Sequence, residues 1–241
     1  MKGGAPLIGL LLCLACTPQK EAKIPENAAD VLPPPDTLAV LDTEKVPLPE
    51  PPRPDYASLP DSAFVELIRW DSTFVIEVRY ATTNNFMKKA VYPCAKVLLR
   101  KKAAEALIAA HEDAKRQGYR LKIFDGYRPR SVQWDLWHAT DKKQYVANPK
   151  YGSNHNRGAA VDLTLVNART LAPLAMGTDY DYFGKKAHHS YAHLPDSIRK
   201  NRSRLKQIMI RHGFSPINSE WWHYNFKEAF PLADRPLPCS E

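Results

Sequence analysis

The stretch Ser153-Asn154-His155-Asn156-Arg157-Gly158-Ala159-Ala160-Val161-Asp162 decides how the chain is read. It sets an imidazole and a carboxylate seven residues apart, with small residues between them. Asp162 interrupts the apolar run from Val161 to Val166. A carboxylate in such a run is costly to bury unless it is paired or coordinates a cation. A second acid and imidazole stand together further on, in Glu220-Trp221-Trp222-His223. His155, Asp162 and His223 make a three-ligand set of the kind a catalytic zinc uses, with the fourth position left for water and Glu220 left as a base.

Spacing alone leaves a plainer reading open. A His and an Asp seven residues apart are in most chains a loop imidazole and a capping or surface acid, and a Glu three before a His says less still. The metal reading draws on the co-occurrence of the two pairs, the Trp221-Trp222 neighbours and the acid inside an apolar strand. No His-Glu-x-x-His helix is present, so the common helical metalloprotease arrangement is excluded. Residues three apart on a regular strand face opposite ways. For Glu220 and His223 both to face the metal, Glu220 must lie in the turn just before a strand over Trp221 to Phe226, or that strand must bulge; the turn is the expectation. Arg128, in Asp125-Gly126-Tyr127-Arg128-Pro129, is either a surface turn residue or a guanidinium fixed to stabilise an oxyanion. His188 and His189 read as loop or supporting residues, and His111, His138, His193 and His212 as surface or packed ones.

Working outward, Ala159 to Val166 predicts a strand carrying Asp162. Tyr119 to Phe124 predicts another, and Phe64 to Trp70 with Phe74 to Tyr80 a hairpin across Asp71-Ser72-Thr73. Apolar residues recur at Leu99, Ala103, Ala106, Leu107, Ala110 and Ala114, predicting a helix over Ala95 to Gln117 that Gly118 ends. Further helices are predicted from Ser131 to His138 and from Asp196 to Arg211, each capped by its first residue. Residues 167–195 read as a long loop. Strands and helices do not alternate in βαβ fashion, so the fold class is α+β: one domain with a central antiparallel sheet and helices packed on it.

The 241 residues, 44% hydrophobic and 25% charged, are enough for a real core. Ten of the 21 prolines fall between Pro25 and Pro60. Residues 1–60 carry five basic and eight acidic side chains, a net of −3, whereas residues 61–241 carry 29 and 18, a net of +11. Such a basic surface suits anionic partners in general. No nucleic-acid motif or interleaved Arg–aromatic repeat accompanies it, so no nucleic-acid partner is expected.

Met1 to Cys16 reads as an export signal. Lys2 gives the positive start, and Leu7 to Cys13 is an apolar run too short to span a membrane. The run ends in Leu14-Ala15-Cys16-Thr17, which resembles the lipobox of bacterial lipoproteins, with Cys13 where that pattern usually has Leu. Lipidation at Cys16 and anchoring to a bacterial membrane, facing the periplasm or exterior, is the expectation; an ordinary cleaved signal is the alternative. Residues 17–60, rich in proline and acids, read as an extended tether, leaving residues 61–241 as the domain. Cys94 and Cys239 are then the remaining thiols in an oxidising compartment, where a disulfide between them is plausible.

The motif Ser-x-His-x-x-Gly-x-Ala-x-Asp at Ser153 to Asp162, followed by Glu-x-Trp-His at Glu220 to His223, resembles the zinc D-Ala-D-Ala peptidases. Arg69-Trp70-Asp71, Tyr80-Ala81-Thr82 with Asn85-Phe86, Asp125 to Pro129, Met176-Gly177 with Asp181, and His188-His189 narrow it to the D-alanyl-D-alanine dipeptidases. The resemblance runs from about Phe64 to about Phe230. It implies one zinc held by His155, Asp162 and His223, Glu220 as the base and Arg128 as the transition-state stabiliser. It also implies that Ser153, Asp181 and Tyr80 hold the free amino terminus of a small D,D-dipeptide. The departure is Asn154, where close relatives often have Ser. That position bears on recognition of the substrate carboxylate. The competing functions are a D,D-carboxypeptidase acting on peptidoglycan stems and a non-catalytic wall-binding lipoprotein.

Overall fold

The computed structural model describes residues 55–239. The export signal, the lipidation site Cys16 and the tether through residue 54 lie outside them. The sequence around Asp162 folds into the middle of a five-stranded sheet. Its strands are β2 (Val75–Ile76), β4 (Tyr119–Asp125), β5 (Ala160–Asn167), β6 (Phe214–Ile217) and β7 (Glu220–Phe226), in the spatial order β2-β4-β5-β7-β6. β5 is buried along nearly its whole length, as its largely apolar run requires, the interrupting Asp162 included. Neighbours among β4, β5, β7 and β6 pair antiparallel, and β2 adds a parallel edge to β4, so the antiparallel sheet expected from the sequence becomes a mixed one.

Two helices pack on this sheet, α2 (Lys101–Arg116) and α4 (Asp196–Arg211). They present Ala103, Leu107, Ala110, Leu205 and Ile208 to the core, all fully buried. Gly118 ends the α2 region with φ +82°, the left-handed conformation its position called for. α3 (Arg130–His138) leaves the turn that follows β4. Pro129 and Pro195 occupy the N-caps of α3 and α4 without a side-chain cap, so the capping roles expected of Ser131 and Asp196 are not taken up.

The front of the domain differs from the expected hairpin. β1 (Phe64–Glu66) pairs with β3 (Leu98–Arg100), and Leu67–Trp70 closes a single helical turn, α1. Two local bonds direct this. Leu67 N–H reaches the Val97 carbonyl at 2.9 Å, and the Asp71 carboxylate turns back onto Thr73 N–H at 2.8 Å. β3 occupies the residues expected to be the first turn of α2, because all three are buried in the extended partner of β1. Cys94 and Cys239 are joined as a disulfide, which holds the C-terminal tail against the segment entering β3.

Candidate active site

Register places the site. Directly opposed residues in a sheet put their side chains on the same face. Asp162 of β5 is opposed on one side by His223 of β7 and on the other by Asp125 of β4. The pairing slips between Ile123 and Asp125, so one extra residue, Phe124, turns Asp125 onto the face of Asp162. His155 joins this row from a 3-10 turn, His155–Arg157, that Gly158 closes at φ +68°.

Each imidazole is fixed by its outer nitrogen. His155 Nδ1 donates to the Gly126 carbonyl at 2.7 Å, and His223 Nε2 donates to Asn225 Oδ1 at 2.9 Å. Their other nitrogens, His155 Nε2 and His223 Nδ1, face each other at 3.1 Å. Asp162 Oδ1 completes the triangle at 3.4 Å from His155 and 3.0 Å from His223. These atoms form the one group among the described residues with the make-up to hold a metal ion. The edges fit the donor separation of a tetrahedral zinc with bonds of about 2.0–2.1 Å, which is about 3.3–3.4 Å. The outer hydrogen bonds are the ones that orient metal-binding imidazoles.

The charges respond to one another. Burial raises the Asp162 carboxyl, but the charges and hydrogen bonds of His155 and His223 outweigh it and hold the group well below the usual carboxylate range. Burial lowers His223, and its bond to Asp162 more than offsets that, leaving it raised. Glu220 is buried in the wall of the same cavity. Desolvation, abetted by Asp162 and opposed by His223 and Arg128, pushes it up to about 7. Glu220 is the first residue of β7 and not part of the preceding turn. The two-residue turn Asn218-Ser219 pairs Glu220 with Ile217, and the β6–β7 register slips there, so an irregular strand brings Glu220 and His223 to one cavity.

Arg128 is buried on a carboxylate cradle. Its Nε and Nη2 donate to Asp125 Oδ2 at 3.0 and 2.7 Å, and its Nη1 to Gln133 Oε1 at 3.0 Å. Asp125 Oδ1 in turn accepts Tyr92 O–H and Gly126 N–H. Tyr80 lies under the guanidinium, 5.1 Å from its ring centre, and donates to Asp181 Oδ1 at 3.3 Å. Asp181 sits at φ +60°, its Oδ2 buried without a hydrogen-bond partner, and burial followed by the charge of Asp162 raises its carboxyl well above the usual range. Ser153 Oγ accepts His155 N–H at 3.0 Å.

Thus Tyr80, Arg128, Ser153, His155, Asp162, Asp181, Glu220 and His223 all line one cavity of about 370 Å³. The supporting shell was not assigned from the sequence. Asn225, two residues along a strand from His223, was findable by period. Asp125 lies inside a quoted motif, and Tyr180, which donates to Asp162 Oδ2 at 3.0 Å, adjoins Asp181. Gln133 gave no signal. His188 and His189 stay outside this cavity: His188 meets Tyr145, and His189 stands edge-on to Tyr224.

Two imidazoles and a carboxylate with an open side, a buried second carboxylate and a cradled arginine have the make-up of a mononuclear hydrolytic metal centre. Comparison with known proteins narrows the class. The family model described as D-ala-D-ala dipeptidase matches residues 62–240. A D-alanyl-D-alanine dipeptidase of Escherichia coli (strain K12) is 39% identical over 166 residues, covering 68% of this chain and 86% of that protein. One from Enterococcus faecium is 34% identical over 196 residues, covering 72% and 90%. One from Streptomyces coelicolor is 33% identical over 192 residues, covering 70% and 92%. The chain belongs to the D-Ala-D-Ala dipeptidase family.

Proposed function

We propose that the chain is a zinc peptidase that hydrolyses D-alanyl-D-alanine or a closely related D,D-dipeptide. His155, Asp162 and His223 would hold one zinc, which would supply Lewis acidity to polarise a carbonyl or a water molecule. Glu220 takes the proton of the attacking water on its carboxylate and returns it to the leaving amine. A carboxyl poised near neutrality suits both transfers. Arg128, its other donors spent on Asp125 and Gln133, is preorganised to stabilise the oxyanion that develops at the scissile carbonyl. The Asp181 carboxylate, with the Tyr80 and Ser153 hydroxyls, receives the ammonium group of the substrate.

One observation carries the dipeptide reading. The metal triangle shares its cavity with a carboxylate whose Oδ2 is buried and unpartnered. A buried, unmatched carboxylate oxygen is costly, and a substrate ammonium satisfies it. An N-acylated stem peptide, the substrate of a D,D-carboxypeptidase, offers no such charge. The presence of every expected reactive side chain opposes a purely wall-binding role.

Export and membrane anchoring rest on Met1 to Cys16. The Cys94–Cys239 disulfide supports an oxidising compartment. There the enzyme acts in turnover or scavenging of wall-derived dipeptides. No helix among the described residues is long and apolar enough to cross a membrane. The test is turnover of D-Ala-D-Ala against its N-acetyl derivative. The free dipeptide is expected to be cleaved at least 10-fold more efficiently, and a preference for the acetylated form would mark a carboxypeptidase instead.

A further inference from the structure

A second cavity, of about 320 Å³, lies between α4 and residues 189–194 and shares no lining residue with the catalytic one. α4 contributes Arg199, Arg202, Ser203 and Lys206. These are spaced three and four apart, so one helix face turns three cations toward a single space. The loop side of the cavity carries His189 and is held by Asn218. His189 N–H reaches the Asn218 carbonyl at 2.8 Å, and Ser190 N–H reaches Asn218 Oδ1 at 3.1 Å.

Arg199 pairs with Asp196, whereas Arg202 and Lys206 have no carboxylate partner among the described residues. Arg202 is 4% exposed, and its hydrogen bonds all go to carbonyls: Nε to Met176 at 2.7 Å, Nη1 to His188 at 3.1 Å and Nη2 to Lys186 at 3.0 Å. Carbonyls satisfy its donors but leave its charge uncompensated. Burial pulls the guanidinium down to about 10, opposed by Tyr224. His189 Nε2 is buried with no hydrogen-bond partner. Burial, then the charges of Lys206 and Arg202, hold that imidazole at about 4, so it is neutral at neutral pH and offers one N–H. Ser203 Oγ accepts Gln207 Nε2–H at 3.1 Å, which leaves the hydroxyl hydrogen to donate.

Two unmatched cations call for a dianion. A phosphate monoester carries about −1.5 to −2 at neutral pH on three acceptor oxygens, whereas a carboxylate brings a single charge. The cavity also exceeds a bare ion, falling in the range of about 300–1,000 Å³ that holds small organic ligands. We propose that this cavity binds a dianionic phosphate, free or as a small monoester. Lys206 meets one charge and the buried Arg202 the other, while His189 Nε2–H and the Ser203 hydroxyl donate to the oxygens. The site gives His189 a ligand to hold, a role that the peptidase chemistry does not supply.

The experiment titrates the zinc-loaded chain with inorganic phosphate and with glycerol 3-phosphate by calorimetry at fixed ionic strength. Lys206→Gln removes one charge. His189→Phe removes the orphaned nitrogen and keeps a ring against Tyr224, with the urea midpoint reporting that the fold is intact. Arg202 is left in place because it holds three carbonyls of the loop. The parent is expected to bind at least one of the two probes with a Kd of about 1 mM or tighter, and each variant to weaken that binding about 10-fold or more. Both kcat and KM for D-Ala-D-Ala should stay within about twofold in the variants, since sites without shared partners act independently. Tighter binding of the ester assigns the site to a phosphorylated small molecule, and equal or tighter binding of inorganic phosphate assigns it to the free ion. Binding that both variants leave intact, binding that disappears when the zinc is chelated, or no binding by the parent overturns the proposal.

Discussion

His111 and His155 show what decides the fate of a buried imidazole. His155 has one nitrogen on a carbonyl and the other facing two more metal-type donors. His111 has both nitrogens satisfied within the core: Nδ1 accepts Leu121 N–H at 3.1 Å and Nε2 donates to Thr73 Oγ1 at 3.0 Å. It also stacks on Phe74 at 4.0 Å. Burial holds His111 at about 4, below the 6.5 of an exposed imidazole. Its folded form stays neutral while the unfolded chain takes up a proton, so the unfolded state binds more protons between those values. The stability contributed by neutral His111 is complete above pH 6.5 and is lost as pH falls toward 4. Urea midpoints at pH 7 and pH 5 should differ more for the parent than for His111→Gln; identical pH dependence would show that His111 is protonated in the fold.

At the scale of elements, the turn between His155 and β5 is the point where backbone geometry controls the site. A Cβ on Gly158 would lie 2.4 Å from Phe64 Cε1 and 3.2 Å from the Arg100 nitrogen, in a left-handed conformation. Gly158→Ala should cost roughly 2–4 kcal/mol by urea unfolding and weaken metal retention, since His155 rides on the same turn. An unchanged midpoint would mean that the turn relaxes freely.

β4, β5, α4 and the end of α2 were legible in the sequence, because each has an alternating or largely apolar run, a helical period or a terminating glycine. The β1–β3 pairing was not, because its partners are chosen by burial and by the Val97 carbonyl rather than by local composition. The slip at Phe124 was equally hidden, whereas the irregular start of β7 is the alternative that strand geometry left open for Glu220. A one-residue change of register leaves no compositional trace, yet it puts Asp125 and Glu220 on the active face. The metal triangle was legible from its residue types. Of its supporting acceptors, Asn225 follows from the strand period, whereas the Gly126 carbonyl on His155 depends on tertiary placement, as does Gln133 under Arg128.

Across the whole domain, the tail after β7 returns over the back of the site. Ala233 N–H reaches the Asn156 carbonyl at 2.9 Å, Tyr127 O–H donates to the Arg235 carbonyl at 2.9 Å, and Cys239 closes the disulfide with Cys94. Segments far apart in sequence thus converge to brace the turns bearing His155 and Arg128, leaving one face of the sheet for helices and the other for chemistry. This brace serves a single zinc used to cleave a D,D-dipeptide. That dependence is tested most directly by stripping the protein with a chelator and following D-Ala release from D-Ala-D-Ala as zinc is returned. The rate should rise from near zero and level off at about one zinc per chain; activity undiminished in the stripped protein, or absent at full zinc occupancy, would contradict it.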